Sequence, residues 1–159
     1  MNDEALIKSI LAAVDASDRA PNVFDAAAAL AAKFGANLHV IRVIAIPPEF
    51  PPAAAASTAD TLPAHLEAIA IAQISELTLR APDLSVSQPI VAVGHQPWRI
   101  ILENARRLSA DLIVLGSHGY GGWDRVLGTT AGKVADLADR NVFIVHAQRG
   151  DATCGHSKR

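Results

Sequence analysis

The sequence predicts a single α/β domain in which the strands of a mainly parallel sheet alternate with helices on both faces. Short apolar runs alternate along the chain with longer stretches whose apolar residues recur every three or four positions. These are the patterns of buried strands and of amphipathic helices, respectively. Right-handed crossovers between such elements place the strands parallel. The 159 residues, half of them apolar, are enough for one core.

The first predicted strand is the apolar run at 9–14, which ends at Asp15 in a polar loop. A helix follows, with Pro21 near its first turn and Gly35 at the position of a C-terminal cap. The second strand is predicted at 38–44. The apolar face of the helix is formed by Val23, Ala27, Leu30 and Phe34.

A proline-rich stretch at 47–63 is predicted to be an irregular loop within the domain. A helix at 64–79 and a third strand at 87–93 follow this loop. Pro89 lies near the start of the third strand, and it favours an edge position because proline donates no hydrogen bond to a neighbouring strand.

The second half of the chain continues the alternation, with a helix that begins at Pro97 and a fourth strand at 111–115. A last helix, capped by Thr129 or Thr130, runs to about residue 138, and a fifth strand follows at Asn141–Val145. The expected domain covers 1–148, and the tail at 149–159 is expected to be disordered. The apolar stripe of the helix after Pro97 consists of Trp98, Ile101, Leu102, Ala105 and Leu108.

Composition argues against several classes of function. A formal net charge of −2 provides no broad basic surface, so nucleic-acid binding is not expected. No apolar run approaches the roughly 20 residues of a membrane span, and the acidic start is unlike a secretory signal. Cys154 is the one cysteine, which rules out an internal disulfide. The chain is therefore expected to be cytoplasmic and not bound to a membrane.

A glycine-rich stretch lies where the fourth strand ends, and Asp15 lies where the first strand ends. Half of the ten glycines fall in the thirteen residues from Gly116 to Gly128. Ligands of parallel sheets bind beyond the carboxyl ends of the strands. Glycine lets backbone amides approach a phosphate, and the first turn of the next helix adds unpaired amides and positive charge. The pattern predicts an anion site, although a tight connection would also use glycine.

Two common phosphate-binding motifs do not match this stretch. The P-loop requires glycine five residues before the pair Gly132-Lys133, where the chain has Leu127, and Ser or Thr after the pair, where it has Val134. The dinucleotide fingerprint read from Gly119 would need glycine or alanine at Asp124. A different kind of nucleotide site is therefore indicated.

The stretch resembles the glycine motif of the universal stress proteins, whose nucleotide-binding members carry G-x2-G-x9-G-[S/T] after the fourth strand. Here the spacing is Gly116-x2-Gly119-x8-Gly128-Thr129, one residue shorter. The segment 10–17 is similar to the first strand and loop of that family, and 141–145 to its last strand. The resemblance covers about 9–147 and implies a doubly wound, Rossmann-like sheet of the HUP type with strand order 3-2-1-4-5.

The resemblance also implies a ligand and a set of residues that bind it. In such proteins the acid after the first strand contacts adenosine, a backbone position of the second strand meets the adenine, and the glycine motif holds ribose and phosphates. The implied ligand is ATP, or ADP or AMP, with or without Mg²⁺. The residues that match are Asp15, Val43, Gly116, Ser117, His118, Gly119, Gly128, Thr129 and Thr130.

Simpler structural roles remain open for several of these residues. Asp15 could only cap the loop after the strand, and His118 could be only a turn residue, because no sequence spacing shows an oriented partner for a catalytic base. Arg125 and Lys133 are the cations nearest the expected phosphates, yet both could simply be solvated. No histidine spacing predicts a metal site.

The resemblance implies a stress-response regulatory protein that binds ATP and forms a homodimer through the last strand, with Val142 to Val145 as the apolar edge. Two alternatives stay open. One is a slow ATPase, although no carboxylate cluster for Mg²⁺ is visible beside the loop. The other is a structural stress dimer that binds no nucleotide, for which the shortened glycine motif is the reason.

Overall fold

The computed structural model describes residues 6–45, 62–117 and 127–146. The predicted loop at 47–63 and the predicted tail at 149–159 lie almost entirely outside the described residues. Nine elements alternate along these described residues, as predicted. In order they are β1 (Ser9–Ala13), α1 (Ala20–Phe34), β2 (Asn37–Ala45), α2 (Leu62–Thr78), β3 (Ile90–Gly94), α3 (Pro97–Arg107), β4 (Leu112–Gly116), α4 (Thr129–Leu137) and β5 (Asn141–Val145).

All five strands form one parallel sheet in the order β3-β2-β1-β4-β5. The chain builds outward from β1 to β3, then returns past β1 to place β4 and β5 on the other side. The direction of winding therefore reverses between β1 and β4. At that point the connection after β1 runs to one face of the sheet and the connection after β4 runs to the other. A crevice therefore forms between the carboxyl ends of these two strands.

The two faces of the sheet carry separate apolar cores. Successive side chains of a strand point to opposite faces, so Ile10 and Ala12 of β1 belong to the core under α1 and α2, whereas Leu11 belongs to the core under α3 and α4. Phe24 of α1 and Ile74 of α2 are fully buried or nearly so in the first core. The stripe predicted for α3 packs in the second core as expected.

Helix α1 confirms its predicted ends and its predicted apolar face except for Phe34. Pro21 lies in its first turn, and Gly35 adopts the left-handed conformation at its C-cap. Phe34 is 39% exposed, whereas Phe24 is fully buried. Val23 and Ala27 are buried as predicted, so the contact surface is the predicted face extended to Phe24 and without Phe34.

Strand β3 begins three residues later than the predicted strand at 87–93. Pro89 has no amide hydrogen to add to the ladder, and regular pairing with β2 begins at Ile90. Before it, only the isolated bridge from Val86 to Leu38 is made. The predicted edge position of β3 is confirmed.

Candidate functional site

A cleft of about 510 Å³ lies at the carboxyl edge of the sheet, above the crevice between β1 and β4. Residues from the ends of β1, β2 and β4 line it together with the beginnings of α3 and α4. Seven of the residues implied for the ligand are thereby brought together. They are Asp15, Val43, Gly116, Ser117, Gly128, Thr129 and Thr130.

Asp15 caps the loop after β1, as predicted, and it also lies at the cleft. Its Oδ1 accepts hydrogen bonds from the amide of Ser17 at 2.9 Å and from the Ser17 hydroxyl at 2.6 Å, which stabilises the turn after β1. The same residue lines the cleft. Because both of these hydrogen bonds within the described chain reach Oδ1, the second carboxylate oxygen is left to accept a hydrogen bond from a ligand.

The backbone of Val43 faces the cleft because β2 extends beyond the end of β1. The carbonyl of Ile41 points toward β1 and accepts a hydrogen bond from the amide of Val14 at 2.9 Å. Every second residue of a parallel strand directs its amide and carbonyl to the same side, so Val43 also points that way. Strand β1 ends at Ala13, in register with Ile41. Val43 thus presents a donor and an acceptor beside the crevice.

The two ends of the glycine-rich segment are joined directly. The amide of Gly128 donates to the carbonyl of Ser117 at 2.8 Å, and the amide of Ser117 donates to the carbonyl of Val145 at 2.9 Å. Ser117 is only 3% exposed, so this junction is part of the folded core. The shortened spacing of the motif therefore still brings Gly128 against the end of β4.

Neither Gly116 nor Gly128 uses the positive φ that glycine allows. Gly116 is the last residue of β4 and pairs with Val145, and Gly128 has φ −58°. The absence of a side chain at these two positions instead leaves space where the backbone borders the cleft. Expectations for His118 and Gly119 fall outside the described residues.

Helix α4 directs its first turn at the cleft. Its first internal hydrogen bond joins the amide of Gly132 to the carbonyl of Gly128 at 2.8 Å, so the three preceding amides have no acceptor within the helix. Those amides belong to Thr129, Thr130 and Ala131, all of which line the cleft. They form the most concentrated group of donors in the described part of the site, and the helix dipole adds positive charge there.

The prediction that Thr129 or Thr130 caps α4 is wrong. Gly128 holds the N-cap position with an extended ψ of 156°, and no side chain caps this helix. Both threonines lie inside the first turn, since the bond from Gly128 to Ser117 fixes where the helix begins. Their hydroxyls are therefore not used for capping.

Two arginines that sequence reasoning did not single out also line the cleft, namely Arg19 and Arg42. Arg19 is the residue before α1 and is partly buried, and Arg42 lies on β2 with its guanidinium bonded to Gln73 of α2. The position of Arg19 four residues after Asp15 was the one signal for it in the sequence. No signal in the sequence pointed to Arg42, because its position at the cleft depends on how far β2 extends past β1.

Of the two cations that sequence reasoning did consider, Lys133 has a partner elsewhere. Its ammonium lies 5.0 Å from the centre of the Trp98 ring, in a cation–π contact between α4 and α3. Lys133 does not line the cleft, and Arg125 falls outside the described residues. Among the described residues, the positive side chains beside the cleft are thus Arg19, which precedes α1, and Arg42 of β2.

Apolar walls complete the cleft, with Ile41, Ile101 and Leu115 on the side of α3 and α4. Within the described ranges, no group of three His, Cys, Asp or Glu side chains could hold a metal ion. His39 of β2 lies in register with Leu11, nearer the amino edge, and burial lowers the pKa of its imidazole. The site combines a flat apolar surface, one carboxylate, two guanidinium groups and a helix N-terminus.

The model of the universal stress protein family matches residues 6–146. The chain belongs to the universal stress protein family. Universal stress protein A homolog 1 of Coxiella burnetii is 34% identical over 145 residues, which cover 87% of this chain and 95% of that protein.

Solved structures agree with this membership. UspA from Lactobacillus plantarum is 28% identical, with a TM-score of 0.73 over 87% of this chain and 97% of that one. A universal stress protein in complex with cAMP is 24% identical, with a TM-score of 0.60 over 88% of this chain and 97% of that one. The doubly wound fold predicted from the sequence is therefore confirmed. In the described part of this chain, no helix has the length and apolarity to cross a membrane.

Proposed function

We propose that this universal stress protein is a cytoplasmic regulatory module that binds an adenine nucleotide, with ATP as the ligand, and acts as a homodimer. The observation that carries the proposal is the convergence of Asp15, the Val43 backbone and the first turn of α4 on one cleft. These groups come from three separate parts of the chain. Each of them supplies what a different part of a nucleotide requires.

Different regions of the cleft fit the adenine, the nucleoside and the phosphates of a nucleotide. Its volume of about 510 Å³ is in the usual range for small-molecule sites. The amide and carbonyl of Val43 offer the donor and acceptor that an adenine edge uses, and Ile41 and Ile101 offer apolar contact to the ring. The Asp15 carboxylate can accept a hydrogen bond from adenosine. The amides of Thr129 and Thr130 then face the phosphates.

Adenine-nucleotide binding by a relative supports this assignment, since a solved universal stress protein of the same fold is in complex with cAMP. Mg²⁺ would be held by the phosphates of the ligand, because no cluster of carboxylates for it exists among the described residues.

Calorimetry on nucleotide-stripped protein tests the proposal. We expect ATP, ADP and AMP to bind to the natural chain, and Gly116→Val to abolish binding because its side chain would occupy space at the end of β4. Gly132→Ala is the matched control. Its new methyl group would lie 3.9 Å from Cβ of Leu127, which precedes α4, and this is an ordinary van der Waals contact.

The control variant should bind nucleotides as the natural chain does. Absence of heat with all three nucleotides would contradict the proposal and favour a structural dimer with an empty cleft. Equal binding to Gly116→Val and to the natural chain would place the ligand elsewhere. Circular dichroism of each variant shows whether the fold is retained.

A further inference from the structure

Arg19 differs from the other arginines of the described chain in having no partner for its guanidinium. Residues 6–45, 62–117 and 127–146 contain six further arginines, and each of these donates from its side chain to a protein acceptor. Four of the six make ion pairs with carboxylates and two bond to side-chain amides. They are Arg80, Arg99, Arg106 and Arg140, then Arg42 and Arg107.

Exposure to solvent does not explain why the Arg19 guanidinium has no partner among the described residues. The residue is partly buried at the start of α1 and lines the cleft. Its own amide is tied to the Ser17 hydroxyl at 3.3 Å, within the turn that Asp15 stabilises. A cation held at the wall of a concave site loses part of its hydration, and an anion is needed to compensate for that loss. Within the described chain the protein supplies none.

We propose that Arg19 contacts the phosphates of the ligand and makes affinity rise with their number, so that the site prefers ATP and ADP to AMP and adenosine. The inference rests on the proposed nucleotide function. A guanidinium can donate two parallel hydrogen bonds to a phosphate, and such charged hydrogen bonds are stronger than neutral ones. Asp15 cannot make this contribution, because its carboxylate repels phosphate.

The backbone amides of α4 and the guanidinium of Arg19 have different consequences for selectivity. The amides can hold the first phosphate of any nucleotide. A fixed positive charge adds an attraction that grows with each further phosphate charge and weakens with salt. Arg42 lines the same cleft, but its guanidinium already bonds to Gln73. Among the described arginines that line the cleft, discrimination by phosphate number therefore falls to Arg19.

Isothermal titration of the natural chain and of Arg19→Gln with adenosine, AMP, ADP and ATP tests the inference. The natural chain should bind more tightly along that series. In Arg19→Gln, ATP affinity should fall about tenfold, as expected for one lost hydrogen-bonded charge, while adenosine affinity should change less than about twofold. The salt dependence of ATP binding should also become weaker in the variant.

Two further variants separate charge from geometry. Arg107→Gln makes the same charge change at the far end of α3, roughly 15 Å along the helix from Pro97, and should leave all four affinities unchanged. Arg19→Lys keeps the charge but loses the paired donors, so it should retain part of the preference for ATP.

Equal losses for adenosine and ATP in Arg19→Gln would overturn the inference, because Arg19 would then act on the fold or on the nucleoside. Unchanged ATP affinity would overturn it as well. A natural chain that binds adenosine and ATP equally well contradicts this inference alone. A natural chain that binds none of the four contradicts the proposed function, and the role of Arg19 is refuted with it.

Discussion

Gly35 illustrates at the scale of one residue how backbone conformation ends a helix. Its φ of 62° and ψ of 32° are left-handed, and its amide donates to the carbonyl of Ala31. The next amide, from Ala36, donates to the same carbonyl at 2.9 Å. The chain can thereby turn from α1 directly into β2, and glycine adopts this conformation without the steric cost that a Cβ brings.

Replacing Gly35 by alanine should lower the free energy of unfolding by about 1 kcal/mol, through backbone strain alone. A Cβ at this position would meet no atom within 4 Å, so no clash contributes. Urea denaturation measures the change. Gly132→Ala, inside α4, is the matched control and should stabilise by about 0.5–1 kcal/mol. Equal effects of the two substitutions would contradict the explanation.

Connections between elements at the amino edge of the sheet depend on a small group of charged side chains. The Arg140 guanidinium donates to the carbonyls of Ala105 and Ala110 at 2.8 Å each, which joins the end of α3 to the start of β5. Asp139 accepts hydrogen bonds from Arg140 at 2.8 Å and from Arg106 at 3.3 Å. The carboxylate thus helps to hold both arginines in place.

The same group predicts how stability responds to acid. Hydrogen bonds from Arg140, and then from Arg106, lower the pKa of Asp139 from 3.8 to about 2. A carboxyl whose pKa is lower in the folded state stabilises the fold above its unfolded pKa, and this contribution is lost as the pH falls toward 2. Asp139→Asn should therefore reduce the loss of stability between about pH 4 and pH 2.

Urea denaturation at a series of pH values measures this change. Asp136→Asn is the matched control, because Asp136 is an exposed aspartate in neighbouring α4 for which the described chain shows no hydrogen bond. That variant should keep the acid response of the natural chain. If Asp139→Asn keeps it too, the ion pairs of Asp139 contribute nothing to the acid response.

At the scale of the whole molecule, the sheet has two open edges that differ in character. Both edge strands carry apolar side chains, but Pro89 directly precedes β3, whereas no proline adjoins β5. Phe143 of β5 is 44% exposed. An exposed apolar edge of this kind is stabilised when another strand covers it, which supports the proposed dimer through β5.

The natural chain should therefore sediment as a dimer at micromolar concentration, and Phe143→Lys should shift it to monomer. A charge on the edge strand opposes strand pairing because it would be buried without a partner. Leu79→Lys is the matched control, since Leu79 is 77% exposed at the end of α2 and does not belong to β5. A natural chain that is monomeric, or a dimer insensitive to Phe143→Lys, would exclude this interface.

Much of this architecture follows from local patterns. The alternation of elements, the helix ends at Pro21, Gly35 and Pro97, and the edge position of β3 were all predictable, because each depends on residues close together in the chain. The exposure of Phe34 at the end of α1 and the residue at which α4 begins could not be predicted in this way. Phe34 is exposed and the threonines do not cap, since distant contacts of the core and of Ser117 decide both.

The amino-acid sequence by itself determined the fold class, the family and the presence of Asp15 and the glycine-rich segment at strand ends, because periodicity, turn chemistry and motif spacing are local. Only the tertiary structure decided that the Val43 backbone faces the crevice and that Gly128 bonds to Ser117. It also placed Arg19 at the cleft, where none of the described residues provides a partner for its guanidinium. These features depend on the order in which five strands pair, and that order brings distant segments together at one edge of the sheet.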